Sequence, residues 1–320
     1  AQSTPPATAK PSQRLRHPRG AMSRQGWRGV RSRLMSGVVR AASALLGRTS
    51  WTAAQRFGVA LGAIGWRLSR RDRTRTLEHL AITFPDKDRD ELTRLARANY
   101  RHLGVTGAEC LHLMRGDCST VERRVEVEGW ENVEAVRAAG RPVLILTGHC
   151  GNWELLAATI NCRGLGMAVI ARRANDPRLA SPIVRLRERF GTRTINRSEP
   201  GASRKLLTAL RDGGALGMLI DQDTPVKGVW VPFFGRPAFT PVGAAEIALK
   251  RDAGVVPAFI ARRDDGTHRA VFQPALDLPT DPTAATALMT TAIESWIRHH
   301  PEQWVWMHRR WRRQPEAEAL

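Results

Sequence analysis

The sequence PVLILTGHCGNWE, residues 142–154, joins an apolar run to a polar loop that contains His149. Residues 142–147 have the composition of a strand buried on both faces of a sheet, because no charged side chain interrupts the run. In parallel sheets, ligands bind beyond the carboxyl ends of the strands. The loop that begins at Gly148 is therefore the first place to look for a functional site.

His149 and Glu154 have the residue types of a general base and its partner. A histidine takes up a proton near neutral pH, and a carboxylate that holds the ring fixes its tautomer and stabilises the imidazolium. Asn152 is placed to cap the helix that we predict over residues 151–162. No G-x-S-x-G motif supplies a serine nucleophile, so the activated hydroxyl would belong to the substrate. A helix-capping histidine beside a solvated glutamate remains the alternative at this point.

Outward from this loop, short apolar or β-branched runs alternate with stretches of helical spacing. Strand, helix and strand in repetition are typical of an α/β domain with a mostly parallel central sheet flanked by helices. We predict strands over residues 125–127, 142–147, 167–171, 192–195, 215–220, 229–233, 255–261 and 270–273. We predict helices over residues 132–139, 151–162, 179–190, 202–211, 242–250 and 283–299.

An α-helical N-terminal region precedes this domain. Apolar residues recur at helical spacing from about residue 73 to residue 113, and Phe84-Pro85-Asp86 divides the run into two helices. Met22 is a candidate start, and no secretory signal is expected. We predict a disordered basic extension over residues 1–35, a helical membrane-associating region over residues 36–115, and an α/β domain that carries the function over residues 116–320.

The net charge of +20 is concentrated in the amino-terminal part of the chain. No Asp or Glu precedes Asp72, whereas this stretch contains Lys10 and thirteen arginines. Polybasic segments bind nucleic acids and anionic membrane surfaces, at roughly 1 kcal/mol per residue near a membrane. Composition alone does not choose between these two partners.

No part of the sequence has the roughly 18 uninterrupted apolar residues of a spanning helix. The longest apolar run, residues 57–66, lies between Arg56 and Arg67. Together with the apolar residues before it, this run predicts an amphipathic pair of helices. The pair could lie on a membrane interface or pack against the core, and both alternatives remain open.

The four cysteines form no CxxC pair and no zinc-type cluster with histidines. We therefore expect neither a disulfide framework nor a structural metal. A reducing compartment agrees with this cysteine usage.

Four blocks, in the same order, resemble the bacterial lipid A late acyltransferases, the lauroyl and myristoyl transferases. The histidine block, residues 148–154, is similar to the H-x4-D/E signature that they share with other glycerolipid acyltransferases. The other blocks are RRANDP at residues 172–177, DQD and GVWVPFFG at residues 221–223 and 228–235, and PEQWVWMHRRW at residues 301–311. With a similar stretch at residues 77–85, the resemblance spans about residues 71–315.

The resemblance implies a reaction that needs no metal or organic cofactor. An acyl group would pass from an acyl carrier protein thioester, or from acyl-CoA, to a hydroxyl of a lipid A precursor. His149 would be the general base, and Glu154 would orient it. Backbone amides at Gly151 and Asn152 would form an oxyanion hole.

The resemblance also implies a set of substrate-binding residues. Asp221 would contact the substrate or support a positioned arginine. Arg172 and Arg173 would bind phosphate or sugar oxygens, for which the forked guanidinium is suited. Arg193 is a further candidate because of its position near the start of a predicted strand, not because of the resemblance. The aromatic pair Phe233 and Phe234 would pack against the acyl chain or in the core.

The partners implied are an acyl donor, an anionic glycolipid acceptor and a membrane surface, with no nucleic acid. The expected location is the cytoplasmic face of the bacterial inner membrane, bound peripherally. The alternating tryptophans and arginines at residues 304–313 are typical of stacking on nucleic-acid bases and equally of aromatic anchoring at a membrane, and the resemblance favours the membrane.

Two other functions compete with the leading hypothesis. The first is acyl transfer to another glycolipid or lysophospholipid, such as a phosphatidylinositol mannoside, because the matching blocks do not determine the acceptor. The second is nucleic-acid binding without catalysis, which the charge of +20 suggests. The His149 block and the acidic Asp221 at predicted strand ends favour an enzyme.

Overall fold

The computed structural model of the 320-residue chain describes residues 37–171, 177–211 and 214–315. A helix over residues 37–46 (α1) is the first described element. The other helices are α2 (Trp51–Leu68), α3 (Arg70–Thr83), α4 (Arg89–Leu113), α5 (Cys118–Glu122), α6 (Trp130–Ala138), α7 (Trp153–Cys162), α8 (Pro177–Arg189), α9 (Ala202–Arg211), α10 (Gly243–Arg251) and α11 (Pro282–His299). The strands are β1 (Val125–Glu128), β2 (Val143–Thr147), β3 (Met167–Ala171), β4 (Arg193–Asn196), β5 (Ala215–Leu219), β6 (Gly228–Phe233), β7 (Arg236–Pro241), β8 (Gly254–Arg262) and β9 (His268–Phe272).

Seven strands form the central sheet in the order β1-β9-β8-β2-β5-β3-β4. All neighbouring pairs are parallel except β8 with β9, so the predicted mostly parallel sheet is confirmed. Val143 and Ile145 of β2 belong to one apolar core, and Leu144 and Leu146 belong to another. Because successive residues of a strand point to opposite faces, β2 is covered on both sides.

The predicted break between two N-terminal helices is also confirmed. α3 ends at Thr83 and α4 begins at Arg89, because Pro85 disfavours continuation of the helix and Asp88 caps the next one. The Asp88 carboxylate accepts a hydrogen bond from the Glu91 N–H at 2.7 Å, and the Glu91 carboxylate accepts one from the Asp88 N–H at 3.0 Å. This reciprocal capping box determines where α4 begins.

Glycines allow α2 and α4 to cross with their backbones in contact. A Cβ added at Gly104 of α4 would overlap the carbonyl oxygen of Gly58 in α2. A Cβ at Gly62 of α2 would overlap the carbonyl oxygen of Tyr100. Gly107, one turn beyond Gly104, has no atom within 4 Å of such a Cβ. The two α4 glycines therefore have different structural roles.

We expect Gly104→Ala to lower the free energy of unfolding by about 1–3 kcal/mol, because the added methyl group overpacks the crossing of α2 and α4. Gly107→Ala should raise it by roughly 0.5–1 kcal/mol, because alanine loses less conformational entropy in a helix. Urea denaturation of both variants measures these changes. Effects of the same sign and size would show that the helices do not pack through Gly104.

The predicted strand at residues 229–233 does not join the central sheet. It forms β6, which pairs antiparallel with β7 in a separate hairpin. The sequence pattern missed β7, because Pro237 and Pro241 weaken the strand signal in Arg236–Pro241.

Cys118 and Cys162 form a disulfide, so the expectation of no disulfide is wrong. Their Cα atoms are 5.4 Å apart, although 44 residues separate them in the sequence. Cys118 begins α5 and Cys162 ends α7, so only the packing of these helices brings the thiols together. The cysteines therefore no longer support a reducing compartment.

α2 packs one side against the core and exposes apolar residues on another. Trp51, Ala54, Gly58 and Gly62 are buried. None of the described helices combines the length and the apolar character needed to cross a membrane. The exposed residues recur at helical spacing and form what we call the α2 stripe, which consists of Phe57, Leu61, Ile64 and Leu68.

Candidate active site

The loop between β2 and α7 has a closely constrained backbone. Gly151 has a φ of 60°, in the left-handed region, and a Cβ there would overlap the carbonyl oxygen of Ile260. The Gly151 N–H donates to the carbonyl oxygen of Gln303 at 2.8 Å. Asn152 caps α7 as predicted, because its side-chain oxygen accepts a hydrogen bond from the Leu155 N–H at 3.1 Å. Position 151 therefore requires glycine.

Asp221 holds His149 at the carboxyl end of the sheet. Its Oδ1 lies 2.8 Å from Nδ1 of the imidazole, and its Oδ2 accepts a hydrogen bond from the His149 N–H at 2.8 Å. Oδ2 also accepts a hydrogen bond from Nε1 of Trp304 at 2.8 Å. His149 follows β2 and Asp221 follows β5, and these strands are parallel neighbours, so their ends bring the two residues together.

The buried Asp221 carboxylate is held in its ionised form and fixes the tautomer of a neutral His149 ring. Burial alone would raise the pKa of Asp221, but the charge of His149 and the hydrogen bonds from His149 and Trp304 hold it well below its usual range. An ionised carboxylate only accepts hydrogen bonds, so Nδ1 carries a proton and Nε2 can accept one. The His149 side chain is 24% exposed, so it can meet a substrate.

Glu154 binds Arg187 instead of the imidazole. Arg187 of α8 donates from Nε to one carboxylate oxygen at 2.8 Å and from Nη2 to the other at 2.6 Å. This forked pair places the guanidinium beside the same cavity as His149. The orienting partner that we predicted, Glu154, is therefore corrected to Asp221. Sequence spacing could not reveal this pair, because 72 residues separate His149 from Asp221.

A cavity of about 700 Å³ opens beside His149. Its polar part is lined by loops after the strands, by α7 and α8 and by the carboxyl-terminal segment, and its apolar part is lined by strands and by α7. The polar side chains include His149, Glu154, Arg187, Arg197, Asp223, His308 and Arg312. The apolar side chains include Ile145, Leu156, Ile160, Met167, Val169 and Met218.

Gly217 keeps the apolar part of the cavity open, because any side chain there would crowd its neighbours. It pairs in register with Ile145 of β2 on one side and with Val169 of β3 on the other, so the three residues lie side by side on one face of the sheet. A Cβ at Gly217 would lie 3.0 Å from Sδ of Met167 and 3.2 Å from Cγ1 of Val169. Any larger side chain there would reduce the volume available to a ligand.

The predicted arginines differ in their relation to the cavity. Arg172 and Arg173 lie outside the described residues. Arg193 begins β4, at the end of the strand away from His149, and it is not among the described residues that line the cavity. Arg197 follows the same strand and does line the cavity. The rule that sites follow strand ends could have indicated Arg197, because it lies two residues beyond the strand predicted over residues 192–195.

The predicted oxyanion hole is not formed by Gly151. Its N–H already donates to Gln303, and the neighbouring N–H of His149 donates to Asp221. Asn152 is fully buried, and its side chain donates to Glu109 at 2.9 Å. Within the described part of the chain, neither Gly151 nor Asn152 lines the cavity. Both residues support the loop instead of facing a substrate.

A buried ion pair, which the sequence did not indicate, supports the loop from behind. Glu109 of α4 accepts hydrogen bonds from Arg262 at 2.9 Å and 2.8 Å. Glu109 also binds Asn152, and the Arg262 N–H donates to the side chain of Gln303 at 2.8 Å. Gln303 in turn accepts the Gly151 N–H. The ion pair is therefore connected to the loop through two hydrogen-bonded residues.

Trp304 and Trp306 are buried instead of forming an exposed anchor, and Trp304 supports the site through its hydrogen bond to Asp221. Trp304 and Trp306 are 1% and 0% exposed, so the expected interfacial role is wrong for these two residues. His308 lines the cavity, and its Nε2 accepts a hydrogen bond from the Asp223 N–H at 3.1 Å. Burial lowers the pKa of His308 to about 4, so the ring is neutral at pH 7 and can accept this bond.

Comparison with known proteins agrees with the motif resemblance. The chain is 27% identical over 269 residues to the lipid A biosynthesis lauroyltransferase of Escherichia coli strain K12, covering 82% of this chain and 86% of that protein. It is 25% identical over 252 residues to the lipid A biosynthesis myristoyltransferase of the same strain, covering 77% of each. It is also 27% identical over 188 residues to the phosphatidylinositol mannoside acyltransferase of Mycobacterium tuberculosis strain H37Rv, covering 58% of this chain and 59% of that protein.

A family model extends this likeness over most of the chain. The model, described as bacterial lipid A biosynthesis acyltransferase, matches residues 34–313. That range contains the N-terminal helices, the loop with His149, and the carboxyl-terminal segment with Trp304. The chain is therefore an acyltransferase that belongs to the bacterial lipid A biosynthesis acyltransferase family.

Proposed function

We propose that the chain transfers a fatty acyl group from an acyl carrier protein thioester, or from acyl-CoA, to a hydroxyl of a lipid A precursor. The observation that carries this proposal is the His149 and Asp221 pair beside a cavity of about 700 Å³ with an apolar part. The pair supplies a general base, and the apolar part is suited to an acyl chain. Together they bring a base and a hydrocarbon site into one cavity.

In the proposed reaction, Nε2 of His149 removes the proton of the acceptor hydroxyl as its oxygen attacks the thioester carbonyl carbon. A carbon–oxygen bond forms, and the carbon–sulfur bond breaks when the tetrahedral intermediate collapses. The proton on Nε2 then passes to the leaving thiolate. Throughout, Asp221 holds Nδ1 and stabilises the imidazolium.

The neighbouring Cys150 is not a competing nucleophile. Its side chain is 2% exposed, and burial raises the pKa of its thiol well above the usual range. A thiol is reactive mainly as the thiolate, which this environment disfavours. The proposed attack therefore comes from the substrate hydroxyl.

Arginines supply positive charge in the polar part of the cavity. We assign Arg187 to the negative charge of the tetrahedral intermediate, because Glu154 holds its guanidinium and the nearby loop amides of His149 and Gly151 are already engaged. Arg197 and Arg312 would bind phosphate or sugar oxygens of the acceptor. Arg172 and Arg173 remain predicted members of this set.

The proposal assigns different tasks to the parts of the chain. Acyl transfer belongs to residues 116–320, and the helical region over residues 36–115 would associate with the cytoplasmic face of the inner membrane. The support is the α2 stripe, together with the positive charge that precedes Asp72.

The direct test is acyl transfer by the purified chain to separate acceptors. We expect a lipid A precursor to gain one acyl group, detected by mass spectrometry, with either thioester as the donor. A phosphatidylinositol mannoside acceptor tests the alternative, which the mycobacterial relative suggests. Acylation of the mannoside but not of the lipid A precursor would replace the proposal with this alternative.

We expect Gly217→Leu to shift the acyl preference toward shorter chains. The leucine side chain would crowd Met167 and Val169 and occupy part of the apolar cavity that Gly217 lines, and each excluded methylene of the acyl chain loses roughly 0.8 kcal/mol of burial. Competition between thioesters of different chain length, analysed by mass spectrometry, measures the shift. Gly243→Ala, at a glycine that lines the cavity with open space around it, is the control and should leave the preference unchanged.

A further inference from the structure

A depression of about 390 Å³ lies where the carboxyl-terminal turns of α2 approach α3 and α4. We call it the arginine pocket, because four of its six lining residues are arginines. It is lined by Ala63, Trp66, Arg67, Arg73, Arg97 and Arg101. None of these residues lines the cavity beside His149, so the two are separate.

The positive charge of the arginine pocket is not balanced by carboxylates. The guanidinium carbons of Arg73 and Arg97 lie 5.3 Å and 5.7 Å from the ring centroid of Trp66. Among the salt bridges of the described residues, none involves an arginine of this pocket. The neighbouring Asp72 binds Arg75 at 3.0 Å. Four like charges around one depression repel each other, and an anion between them relieves that repulsion.

The α2 stripe adjoins the arginine pocket on the same helix. Ile64 and Leu68 of the stripe directly follow Ala63 and Arg67 of the pocket in the sequence. Ile64 is 49% exposed and Leu68 is 77% exposed. A free phosphate would bind in the arginine pocket but would not contact the α2 stripe. An acidic protein surface would complement the positive charge of the pocket but not the apolar side chains of the stripe. A molecule that carries phosphate next to hydrocarbon matches both surfaces.

We propose that the arginine pocket binds the phosphate group of a membrane phospholipid while the α2 stripe lies among the acyl chains of the same leaflet. Guanidiniums bind phosphate oxygens through paired hydrogen bonds, and Trp66 has the side chain favoured at the border between headgroups and hydrocarbon. The pocket orients the protein on the bilayer and takes no part in acyl transfer. This inference therefore does not depend on which acceptor is acylated.

The test compares binding of the full chain and its variants to vesicles of equal parts phosphatidylcholine and phosphatidylglycerol. A salt concentration of about 0.15 M limits long-range attraction of the basic amino-terminal residues, because the Debye length is then about 8 Å. We expect Arg97→Gln/Arg101→Gln to bind at least about tenfold more weakly. Ala63→Trp keeps the charge but fills the pocket, and it should weaken binding by a similar factor.

The matched control is Arg94→Gln/Arg137→Gln, which removes the same charge from two exposed arginines outside the pocket. It should weaken binding by about threefold or less. An equal loss in the two double variants, or unchanged binding by Ala63→Trp, would overturn the phosphate site. Unchanged melting temperatures would show that the variants fold.

Two further measurements test whether the arginine pocket binds a different anionic ligand, namely free phosphate or an acidic protein. Calorimetric titration of the parent chain with inorganic phosphate alone should show no binding at millimolar concentrations, and tighter binding that Arg97→Gln/Arg101→Gln abolishes would show a site for the free anion. If Arg97→Gln/Arg101→Gln kept its vesicle binding but lost acyl transfer only from the carrier protein donor, the pocket would be a docking site for an acidic protein. Either result would reject the lipid proposal without changing the assignment of His149.

Discussion

An Asp221→Asn variant should fold normally but transfer acyl groups about 10⁴-fold more slowly than the parent chain. If the asparagine oxygen takes the place of Oδ2, it still accepts the hydrogen bonds of the His149 N–H and of Trp304. Its NH₂ group then faces Nδ1 of His149, which must accept instead of donate. The ring proton moves to Nε2, and His149 can no longer deprotonate the acceptor hydroxyl.

Two other variants complete this experiment. His149→Ala removes the base and sets the lowest rate, which Asp221→Asn should approach. Glu154→Gln weakens the hold on Arg187 but leaves the imidazole in place, so we expect at most about a 10²-fold loss. Initial rates at saturating donor and acceptor measure kcat for all three. A greater loss for Glu154→Gln than for Asp221→Asn would return the orienting role to Glu154.

Replacing Arg262 with alanine should lower the free energy of unfolding by about 3–5 kcal/mol. Glu109 is completely buried, and Arg262 donates to both of its carboxylate oxygens. Burial alone would raise the pKa of Glu109, but the positive charges of His268 and Arg262 and the hydrogen bonds from Arg262 hold it well below the usual range. At neutral pH, Arg262→Ala would leave the buried Glu109 carboxylate charged but without the guanidinium charge and the two hydrogen bonds that Arg262 supplies.

The control for this prediction is an exposed ion pair in the same sheet. Arg269 donates from Nε to Glu128 at 2.7 Å, and both side chains are about half exposed to solvent. Arg269→Ala should therefore change the free energy of unfolding by only about 0–1 kcal/mol. A double variant, Glu109→Gln/Arg262→Met, should lose less stability than Arg262→Ala, because no buried charge remains. Denaturant titration tests all three, and equal losses at the two arginines would contradict the prediction.

Local patterns predicted most of the fold. The apolar runs at β2 and β5 and the capped start of α4 could be recognised because burial and capping leave a signal within a few residues. β7 could not be recognised, because its two prolines are typical of irregular segments and its partner, β6, lies outside the central sheet.

The candidate site was predicted less completely. His149 and Asp221 were both identified, because each follows an apolar strand. Glu154 was assigned to His149 because the two are near in sequence, whereas its carboxylate faces Arg187. In the sequence, Trp304 lies in an aromatic, basic segment, and such a segment is equally compatible with an exposed anchor and with a buried position. In the structure, Trp304 is buried and donates a hydrogen bond to Asp221.

Residue types and their spacing over short distances were sufficient to predict the α/β class, the position of His149 after a buried strand, and the motif order typical of the family. The contact of Asp221 with His149 and the disulfide between Cys118 and Cys162 became visible only in the folded chain. Hydrogen bonds and disulfides require proximity in space, and here folding places β5 beside β2 although β3 and β4 separate them in the sequence.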